Sequence, residues 1–467
     1  MFEKALKDAT TINSKVFNLA IVGAGVTGTA LLKLMAEYSN MDDIVIIEKA
    51  KRVATINSHP LNNAQTSHDG STETNYGLDH ALDIQLGAKL LRSYAETKND
   101  PSLFHITNRM ALAIGDEQVN KLRNRHTSFL PYYPDLRLAG PAELADKLEP
   151  NIMLGRNGNE NILAMVSNQG YAINYQALAE HMLNDAIATK KNIQVLMDTG
   201  VESTKFENGI YNIQTKHGII RSRFIVFAAG SYSLKYAQEH GHGTEYTIFP
   251  VAGSFVTSQK VLNGKVYPMQ IDGMPFAAIH GDPDILDPTI TRWGPTTKPL
   301  PLMERHHYHT IKDYLQTGIL SWAGMSSAAK VLWERDLLGY VLKNELYDIP
   351  YLGMHLFLPE VQKVVPTLRY SDLTLRRKAG GIRPQLINMN TGELIFGDSW
   401  ILGYNAIYNT TPSPGASICL LNGMRDGQKL SEFSEGEFTF DRFRLMHDLG
   451  VTDRIVDFKP MYEAISA

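Results

Sequence analysis

The sequence predicts an α/β fold in which a parallel-sheet domain is interleaved with an α+β domain built on a mostly antiparallel sheet. The first observation is the apolar, β-rich run Val16–Val22, which is typical of a strand buried on both faces. A glycine turn and the helical pattern Ala30–Ala36 follow, and Ile44–Ile47 is a second buried strand, so these elements form one βαβ unit. Two later runs, Ile193–Leu196 and Phe224–Ser231, have the composition of further strands of the same layer.

The rest of the chain indicates that the two domains share the sequence alternately. From Phe249 to about Val365, short β-like runs alternate with Pro and Gly turns, and Trp322–Leu346 has the spacing of one or two helices. Early, middle and late segments of the chain therefore all contribute to the parallel layer. We assign residues 15–76, 166–235 and 376–430 to the nucleotide-binding domain, residues 77–165 and 236–375 to the substrate domain, and residues 431–467 to a C-terminal tail.

Bulk composition excludes several classes of protein. Of 467 residues, 43% are hydrophobic and 20% are charged, and the formal net charge of −4 is unsuited to nucleic acid. The single cysteine, Cys419, excludes an internal disulfide. We expect neither a signal peptide nor a membrane-spanning helix, because no apolar run is long enough. The histidines of 306–309 lack the spacing of helical metal ligands, so no metal is expected, and no protein partner can be inferred.

A glycine fingerprint between the first strand and the first helix predicts a bound dinucleotide. Gly23 permits the tight turn, Gly25 lets the backbone approach a pyrophosphate, and Gly28 lets the helix pack close to the strand. The phosphates would lie at the helix N-terminus, where free N–H groups favour negative charge. Glu48 ends the second strand and is placed to accept a hydrogen bond from a ribose hydroxyl. The predicted contacts are Gly23, Ala24, Gly25, Val26, Thr27, Gly28, Glu48 and Lys49.

The fingerprint alone does not separate FAD from NAD, but two later segments favour FAD. Val201 ends a strand that can lie against adenine, and Ala229 and Gly230 interrupt another strand of the layer. Residues 409–417 precede a helical pattern, so a helix N-terminus at Gly415 would stabilise negative charge near flavin N1. An ordinary helix cap explains the same residues equally well. The predicted contacts here are Pro414, Gly415, Ala416 and Ser417.

Four pieces of the chain together resemble the malate:quinone oxidoreductases, most closely the shorter form known from epsilonproteobacteria. They are the fingerprint and residues 63–76, 276–284 and 409–416. More distantly, the chain is similar to L-2-hydroxyglutarate dehydrogenase and to the flavoproteins related to D-amino-acid oxidase. The resemblance extends from about Asn18 to about Asn422 and implies a Rossmann-like FAD-binding domain with FAD held non-covalently. It also implies that the polar loop Gln65, Thr66 and Ser67 passes the isoalloxazine ring.

The resemblance further implies oxidation of L-malate to oxaloacetate, transfer of electrons to membrane quinone, and a peripheral position on the inner face of the cytoplasmic membrane. A FAD-dependent dehydrogenase or oxidase of another 2-hydroxy acid, such as lactate or L-2-hydroxyglutarate, is the alternative. An NAD-linked dehydrogenase is disfavoured, because it would need a second nucleotide fold and the sequence has one fingerprint.

Oxidation of a 2-hydroxy acid needs a base for the hydroxyl proton and cations for the carboxylates. His280 is our candidate base: it is expected to follow an apolar strand, 276–279, and to precede a turn, 281–284, and the related families have a histidine at the matching place. Arg292 and Arg383 are candidates for holding the carboxylates bidentately. His68, in the polar loop, is a rival base.

Overall fold

The computed structural model describes residues 15–270, 278–334, 337–349, 351–395 and 399–451. The strands, in chain order, are β1 Val16–Val22, β2 Ile44–Ile47, β3 Phe104–Ile114, β4 Arg137–Ala139, β5 Ile162–Ile173, β6 Ile193–Leu196, β7 Val201–Glu207, β8 Ile210–Thr215, β9 Gly218–Phe227, β10 Tyr246–Ala252, β11 Phe255–Gln259, β12 Lys265–Pro268, β13 His280–Pro283, β14 Ile290–Gly294, β15 Lys298–Pro299, β16 Thr374–Arg376, β17 Ile382–Asn388, β18 Glu393–Ile395, β19 Trp400–Gly403 and β20 Ala406–Asn409. The helices of five or more residues are α1 Val26–Tyr38, α2 Leu78–Glu96, α3 Asp116–Phe129, α4 Tyr175–Ala188, α5 Tyr232–Glu239, α6 Ile311–Leu315, α7 Trp322–Glu334, α8 Leu337–Leu346, α9 Leu352–Gln362, α10 Cys419–Phe433 and α11 Arg442–Asp448.

The nucleotide-binding layer is an eight-stranded sheet assembled from three distant parts of the chain. Its main path is β19-β20-β9-β1-β2-β6, and β7 and β8 extend from β9. Strands β20, β9, β1, β2 and β6 pair in parallel with their neighbours along this path, whereas β19 is antiparallel to β20. The predicted Rossmann-like βαβ unit, β1-α1-β2, is therefore present with the strand bounds that the sequence indicates.

Strand β1 is buried on both faces, which explains its unbroken apolar composition. Leu19 and Ile21 pack on one face into the core that α1, α4 and α10 cover. Ala20 and Val22 point to the opposite face and join a second core with residues of β8, β9 and α5. Alternation along the strand thus divides one apolar run between two cores.

Two further sheets form the rest of the molecule. A four-stranded antiparallel sheet has the order β15-β10-β17-β18. An eight-stranded sheet has the order β16-β11-β14-β13-β12-β3-β5-β4 and is antiparallel except where β12 pairs with β3. The predicted fold class is confirmed, with two substrate-side sheets instead of one. Strand β17 pairs with β10, and β18 pairs with β17, although β17 and β18 lie in segment 376–430, so the domain boundaries stay a prediction.

Several local expectations need correction. His280 begins strand β13, so residues 281–283 continue a strand where we expected a turn; Phe276 and Ala277 lie outside the described residues. The last helix of the nucleotide-binding domain begins at Cys419, four residues after Gly415. The pattern Trp322–Leu346 forms two helices, α7 and α8, as the spacing allowed. Within the described ranges, no helix has the length and apolar composition needed to cross a membrane.

Helix α10 carries a fully buried acid, Asp426, against strands β19 and β20. The carboxyl group is close to the side chains of Asn409 and Trp400, and Arg425 is its neighbour in sequence. Burial raises the pKa of Asp426 to about 7, although Arg425 and the two polar neighbours oppose the shift. The protonated acid is therefore the form that this core accepts best.

Replacing Asp426 by Asn should stabilise the protein in a pH-dependent way. Because the pKa in the folded state, about 7, exceeds the unfolded value, the contribution of Asp426 is fully present below about pH 4 and is lost as pH rises through 7. The difference in free energy of unfolding between Asp426→Asn and the wild type should therefore grow from pH 5 to pH 7.5 and level off above. Urea unfolding at these pH values measures it, with the exposed Asp146→Asn as control. A pH-independent difference would contradict a buried, titrating Asp426.

Candidate active site

One large cavity runs from the glycine fingerprint to the substrate-side sheets. It encloses about 1130 Å³ and is lined by residues of both domains. Most predicted cofactor-binding residues line it, namely Gly23, Gly25, Val26, Thr27, Glu48, Lys49, Gln65, Thr66, Val201, Ala229, Gly230, Pro414, Gly415, Ala416 and Ser417. Ala24, Gly28 and Ser67 lie behind this wall. Of the predicted catalytic residues, His280 and Arg383 line the cavity and Arg292 does not.

The turn between β1 and α1 has no room for side chains at two of its glycines. Gly23 has a φ of +105°, and a Cβ there would lie 2.5 Å from the carbonyl oxygen of Ala228. A Cβ on Gly28 would lie 1.9 Å from the carbonyl oxygen of Gly23. These contacts explain why the helix can begin directly beside the strand. The two glycines serve the turn, whereas Gly25 faces the cavity.

The cavity wall at the start of α1 fits a dinucleotide. Gly25 is the N-cap residue and provides no side chain, and the N–H of Val26 donates to Oγ of Ser58 over 3.1 Å. Glu48 accepts from the N–H of Ala24 over 2.7 Å and from the N–H of Ala50 over 2.8 Å. Burial raises the pKa of Glu48, and these two N–H groups oppose the rise. A positive helix end and an adjacent carboxylate are the features that FAD phosphates and ribose require.

The loop 63–68 is fixed by side chains from several elements. Gln65 is fully buried; its Nε2 donates to the carbonyl of Pro60 over 3.1 Å and its Oε1 accepts from the N–H of Ile285 over 2.8 Å. The carbonyl of Thr66 accepts from the hydroxyls of Tyr175, at 2.6 Å, and Ser417, at 3.1 Å. The loop is therefore a rigid part of the cavity wall.

His280 lies on the cavity wall with both ring nitrogens directed at protein atoms. Nδ1 is 2.9 Å from the carbonyl oxygen of Ala278, and Nε2 is 3.4 Å from Oδ2 of Asp282 without hydrogen-bond geometry. The imidazole packs against Tyr267 with ring centroids 4.4 Å apart. Only 2% of His280 is exposed, so the ring presents little of its polar edge to the cavity.

Behind His280 lies a buried ion pair that the sequence did not reveal. Nζ of Lys265 is 3.0 Å from Oδ1 of Asp282 and donates to Oγ1 of Thr66 over 2.6 Å. Although burial opposes ionisation, Lys265 and His280 hold the pKa of Asp282 well below its ordinary value. Burial lowers the pKa of Lys265, and Asp282 opposes that shift. The pair links the strands β12 and β13 to the loop 63–68.

The two predicted carboxylate-binding arginines differ in their surroundings. Arg383, on β17, is half-buried and lines the cavity beside Tyr76 and Tyr340; burial lowers its pKa. Arg292 is buried away from the cavity. Its Nε is 3.4 Å from Oδ2 of Asp284, one terminal nitrogen donates to the carbonyl of Asn63 over 2.9 Å, and its guanidinium lies over the ring of Phe255. Because protein groups already occupy Arg292, the structure brings only Arg383 to the cavity.

The segment 411–418 reaches the cavity as a turn. The N–H of Ser417 donates to the carbonyl of Pro414 over 2.7 Å, and α10 begins only at Cys419. The expected helix N-terminus at Gly415 is therefore wrong, because this bond closes a turn where a helix would bond i to i+4. Oγ of Ser417 accepts from the N–H of His68 over 2.9 Å, so the turn is fastened to the loop 63–68.

Sequence reasoning also missed Glu73 and Tyr267, which line the cavity. Glu73 lies five residues after His68, within the segment 63–76 that carries part of the family resemblance. This closeness in sequence is the feature that could have indicated a contact between them. Lys265 and Asp282 could not be paired from sequence, because only the neighbouring positions of β12 and β13 bring them together.

A parallel sheet with a glycine turn, joined by one cavity to a mixed substrate-side sheet, defines a flavin-dependent oxidoreductase fold. L-α-glycerophosphate oxidase from Mycoplasma pneumoniae, solved with FAD bound, shares it, with a TM-score of 0.59 and 16% sequence identity over 92% of this chain and 97% of that chain. At this identity the likeness concerns the fold alone.

The chain belongs to the malate:quinone oxidoreductase family, whose profile matches residues 15–289. A probable malate:quinone oxidoreductase from Campylobacter jejuni is 33% identical over 444 residues, covering 92% of this chain and 99% of the relative. The malate:quinone oxidoreductase of Helicobacter pylori strain J99 is 34% identical over 439 residues, covering 92% of this chain and 97% of the relative. The similarity therefore extends well beyond the fingerprint.

Substituting Gly25 should weaken FAD binding without unfolding the protein. Its φ of −73° suits alanine, and a Cβ would meet only Oγ of Ser58, at 3.3 Å, among the described atoms. We expect Gly25→Ala to raise the Kd for FAD at least about tenfold, because the methyl group occupies space that the pyrophosphate needs. Fluorescence titration of the apoprotein with FAD measures this.

Gly158→Ala is the matched control, since a Cβ there meets nothing within 4 Å and Gly158 does not line the cavity. The control should bind FAD as the wild type does, and both variants should melt at the wild-type temperature without FAD. Unchanged FAD affinity in Gly25→Ala would place the diphosphate elsewhere.

Proposed function

We propose that this chain oxidises L-malate to oxaloacetate with FAD as cofactor and passes the electrons to a membrane quinone. Membership of the malate:quinone oxidoreductase family supports the reaction. The observation that carries the proposal is the large cavity, which extends from the glycine fingerprint to Arg383 and to His68 and His280, two of the histidines that line it. FAD held along this cavity would supply the hydride acceptor, N5, for the hydrogen on C2 of the substrate.

The FAD-binding residues are proposed from their places along the cavity. Gly25 and the start of α1 bind the pyrophosphate, and Glu48 accepts a hydrogen bond from a ribose hydroxyl. The loop carrying Gln65 and Thr66 and the turn ending at Ser417, which are hydrogen-bonded to each other, would together hold the isoalloxazine ring. Ala24, Gly28 and Ser67 act from behind the wall by fixing the backbone.

Arg383 is the proposed cation for a malate carboxylate. Its guanidinium is on the cavity wall, and half-burial strengthens a bidentate contact with a carboxylate compared with one in bulk water. We leave Arg292 out of the substrate contacts, because Asp284 and the carbonyl of Asn63 already occupy it. The hydroxyl proton goes to an imidazole of the wall, for which the sequence prediction names His280 and, as the rival, His68.

We propose further that the protein is peripheral on the inner face of the cytoplasmic membrane. Exposed apolar side chains are concentrated on and between helices α6 to α9, with Trp322 82%, Trp333 80% and Tyr351 83% exposed. Aromatic side chains of this kind favour the interface between water and lipid. This apolar helix surface comprises Leu320, Trp322, Met325, Trp333, Leu342, Tyr351 and Leu352. It would bring the protein to the layer in which a quinone dissolves.

L-Malate should reduce the bound flavin in the absence of oxygen. The purified holoprotein should be yellow, and its band near the flavin absorption maximum should bleach on addition of L-malate and return on addition of a soluble quinone. Arg383→Met should keep its FAD but need at least about tenfold more malate for half-bleaching, because a charge-assisted contact is lost.

Lactate and L-2-hydroxyglutarate are the comparison substrates in the same titration. A colourless protein would exclude the flavoenzyme. Bleaching by one of these acids but not by malate would change the substrate, and return of colour with oxygen but not with quinone would change the acceptor.

Loss of the exposed tryptophans should release the protein from lipid. We expect the double variant Trp322→Ser, Trp333→Ser to lose about tenfold or more of its partition into vesicles of phosphatidylethanolamine and phosphatidylglycerol, since each indole buries apolar area there. Vesicle flotation measures the partition, and flavin content checks the fold. Tyr404→Ser removes an aromatic side chain that is 67% exposed outside this surface and should float like the wild type. Equal flotation of all three proteins would refute this docking surface.

A further inference from the structure

Backbone hydrogen bonds of His68 and its neighbour Ser67 hold His68 on the cavity wall. Its N–H donates to Oγ of Ser417 over 2.9 Å, and the neighbouring N–H of Ser67 donates to the carbonyl of Tyr171 over 3.0 Å. Arg92 adds a bond from Nε to Oγ of Ser67 over 3.1 Å. The side chain of His68 is 19% exposed, more than that of His280, which is 2% exposed. A fixed backbone thus presents a partly open imidazole to the cavity.

Glu73 orients the His68 ring. Oε1 of Glu73 is 2.7 Å from Nδ1 of His68, and Glu73 is only 5% exposed. Arg125 holds the same segment by donating to the carbonyls of Gly70, over 3.1 Å, and Glu73, over 2.9 Å. The carboxylate therefore has a fixed position from which it selects one face and one tautomer of the imidazole.

The charge state of Glu73 determines which ring nitrogen of His68 carries the proton. Burial alone would raise the pKa of Glu73, but the hydrogen bond and charge of His68, with Arg125, lower it. An ionised Glu73 only accepts hydrogen bonds, so Nδ1 carries the proton in the neutral ring. Nε2 of His68 is then the basic nitrogen, and it has no hydrogen-bond partner among the residues that the structure describes. Nε2 of His280 also lacks a hydrogen-bond partner among these residues, but it is buried 3.4 Å from Asp282 in a side chain that is 2% exposed, whereas the His68 side chain is 19% exposed.

We infer that His68, oriented by Glu73, accepts the hydroxyl proton of the 2-hydroxy acid; this assignment rests on the proposed function. The O–H bond of the substrate breaks and an N–H bond forms at Nε2. Bound FAD would supply the oxidant: it would take the hydrogen on C2 with its electron pair, so that the substrate loses two electrons, FAD gains two, and the C2–O bond becomes a carbonyl. The imidazolium formed would face the carboxylate of Glu73.

Glu73 is then a positioning residue that also stabilises the protonated base. The charged and titratable groups around the pair include Arg92 and Arg125 from α2 and α3, Tyr267 from β12, and Asp69, which forms an ion pair with Arg92 at 3.1 Å. The two arginines contact the carbonyls of the loop and of Glu73, so Glu73 is the acidic group in direct contact with the ring. Proton transfer to His68 turns a hydrogen bond between a neutral imidazole and a carboxylate into an ion pair at this contact.

Anaerobic stopped-flow measurement of flavin reduction by malate separates the two histidines. His68→Gln should lower the limiting rate of reduction by about 10²- to 10⁴-fold, the usual loss when a general base is removed. It should retain FAD and should bind oxaloacetate, followed by the shift of the flavin spectrum, about as the wild type does. His280→Gln should mainly raise the malate concentration for half-maximal rate. The reverse pattern, with the limiting rate lost in His280→Gln and kept in His68→Gln, would overturn the assignment.

Glu73→Gln tests the orienting role through the tautomer of His68. A glutamine amide can donate to Nδ1 as well as accept from it, so the ring loses its fixed tautomer, and the limiting rate of flavin reduction should fall while the affinity for oxaloacetate stays near the wild-type value. The ¹⁵N signals of the His68 ring, identified by their absence in His68→Gln, should show the proton on Nδ1 in the wild type and a mixture of tautomers in Glu73→Gln, without turnover. An unchanged tautomer would refute the pairing. If malate fails to reduce the wild-type flavin, the proposed function fails, whereas the tautomer measurement still tests the pair.

Discussion

The hydrogen bonds around Thr66 hold the two halves of the active site together. Its carbonyl accepts from Tyr175 of α4 and from Ser417 of the turn before α10, and its hydroxyl accepts from Lys265 of β12. One residue thus ties the nucleotide-binding layer to a substrate-side sheet. Because His68 follows two residues later, the same contacts set where its imidazole stands relative to the cofactor and substrate ends of the cavity.

Several buried charged side chains lie near Thr66. Some of them pair with each other inside the protein, and others line the cavity. Lys265 pairs with Asp282, and Arg292 pairs with Asp284, so most of these ions satisfy one another inside the protein. Breaking one partner of such a pair would leave an uncompensated buried charge, which is costly. Arg383 and His68 differ because they line the cavity. We therefore infer that the charged side chains that line the cavity are available to the substrate, whereas those paired inside the protein stabilise the fold.

The sequence predicted the parts of the site that are local in the chain. The fingerprint and Glu48 follow from spacing and strand composition within one βαβ unit, whereas the loop 65–67 follows from the family resemblance. Arg292 has the right chemistry, but the loop and Asp284 occupy it, and only the folded arrangement reveals that competition. The sequence predicts a helix start at Gly415, where the structure has a turn, because Pro and Ser suit a turn as well as a helix start. The orienting role of Glu73 could not be predicted, because it depends on the distance between its carboxylate and the His68 ring.

The division of the parallel sheet among distant segments has a consequence for biosynthesis. Strand β1, Val16–Val22, is synthesised long before α10, Cys419–Phe433, which covers one of its two cores. One apolar side of β1 is thus without this cover until the ribosome has passed Phe433. Contacts so far apart in the chain slow folding and leave apolar surface exposed for longer, which favours aggregation of the nascent chain.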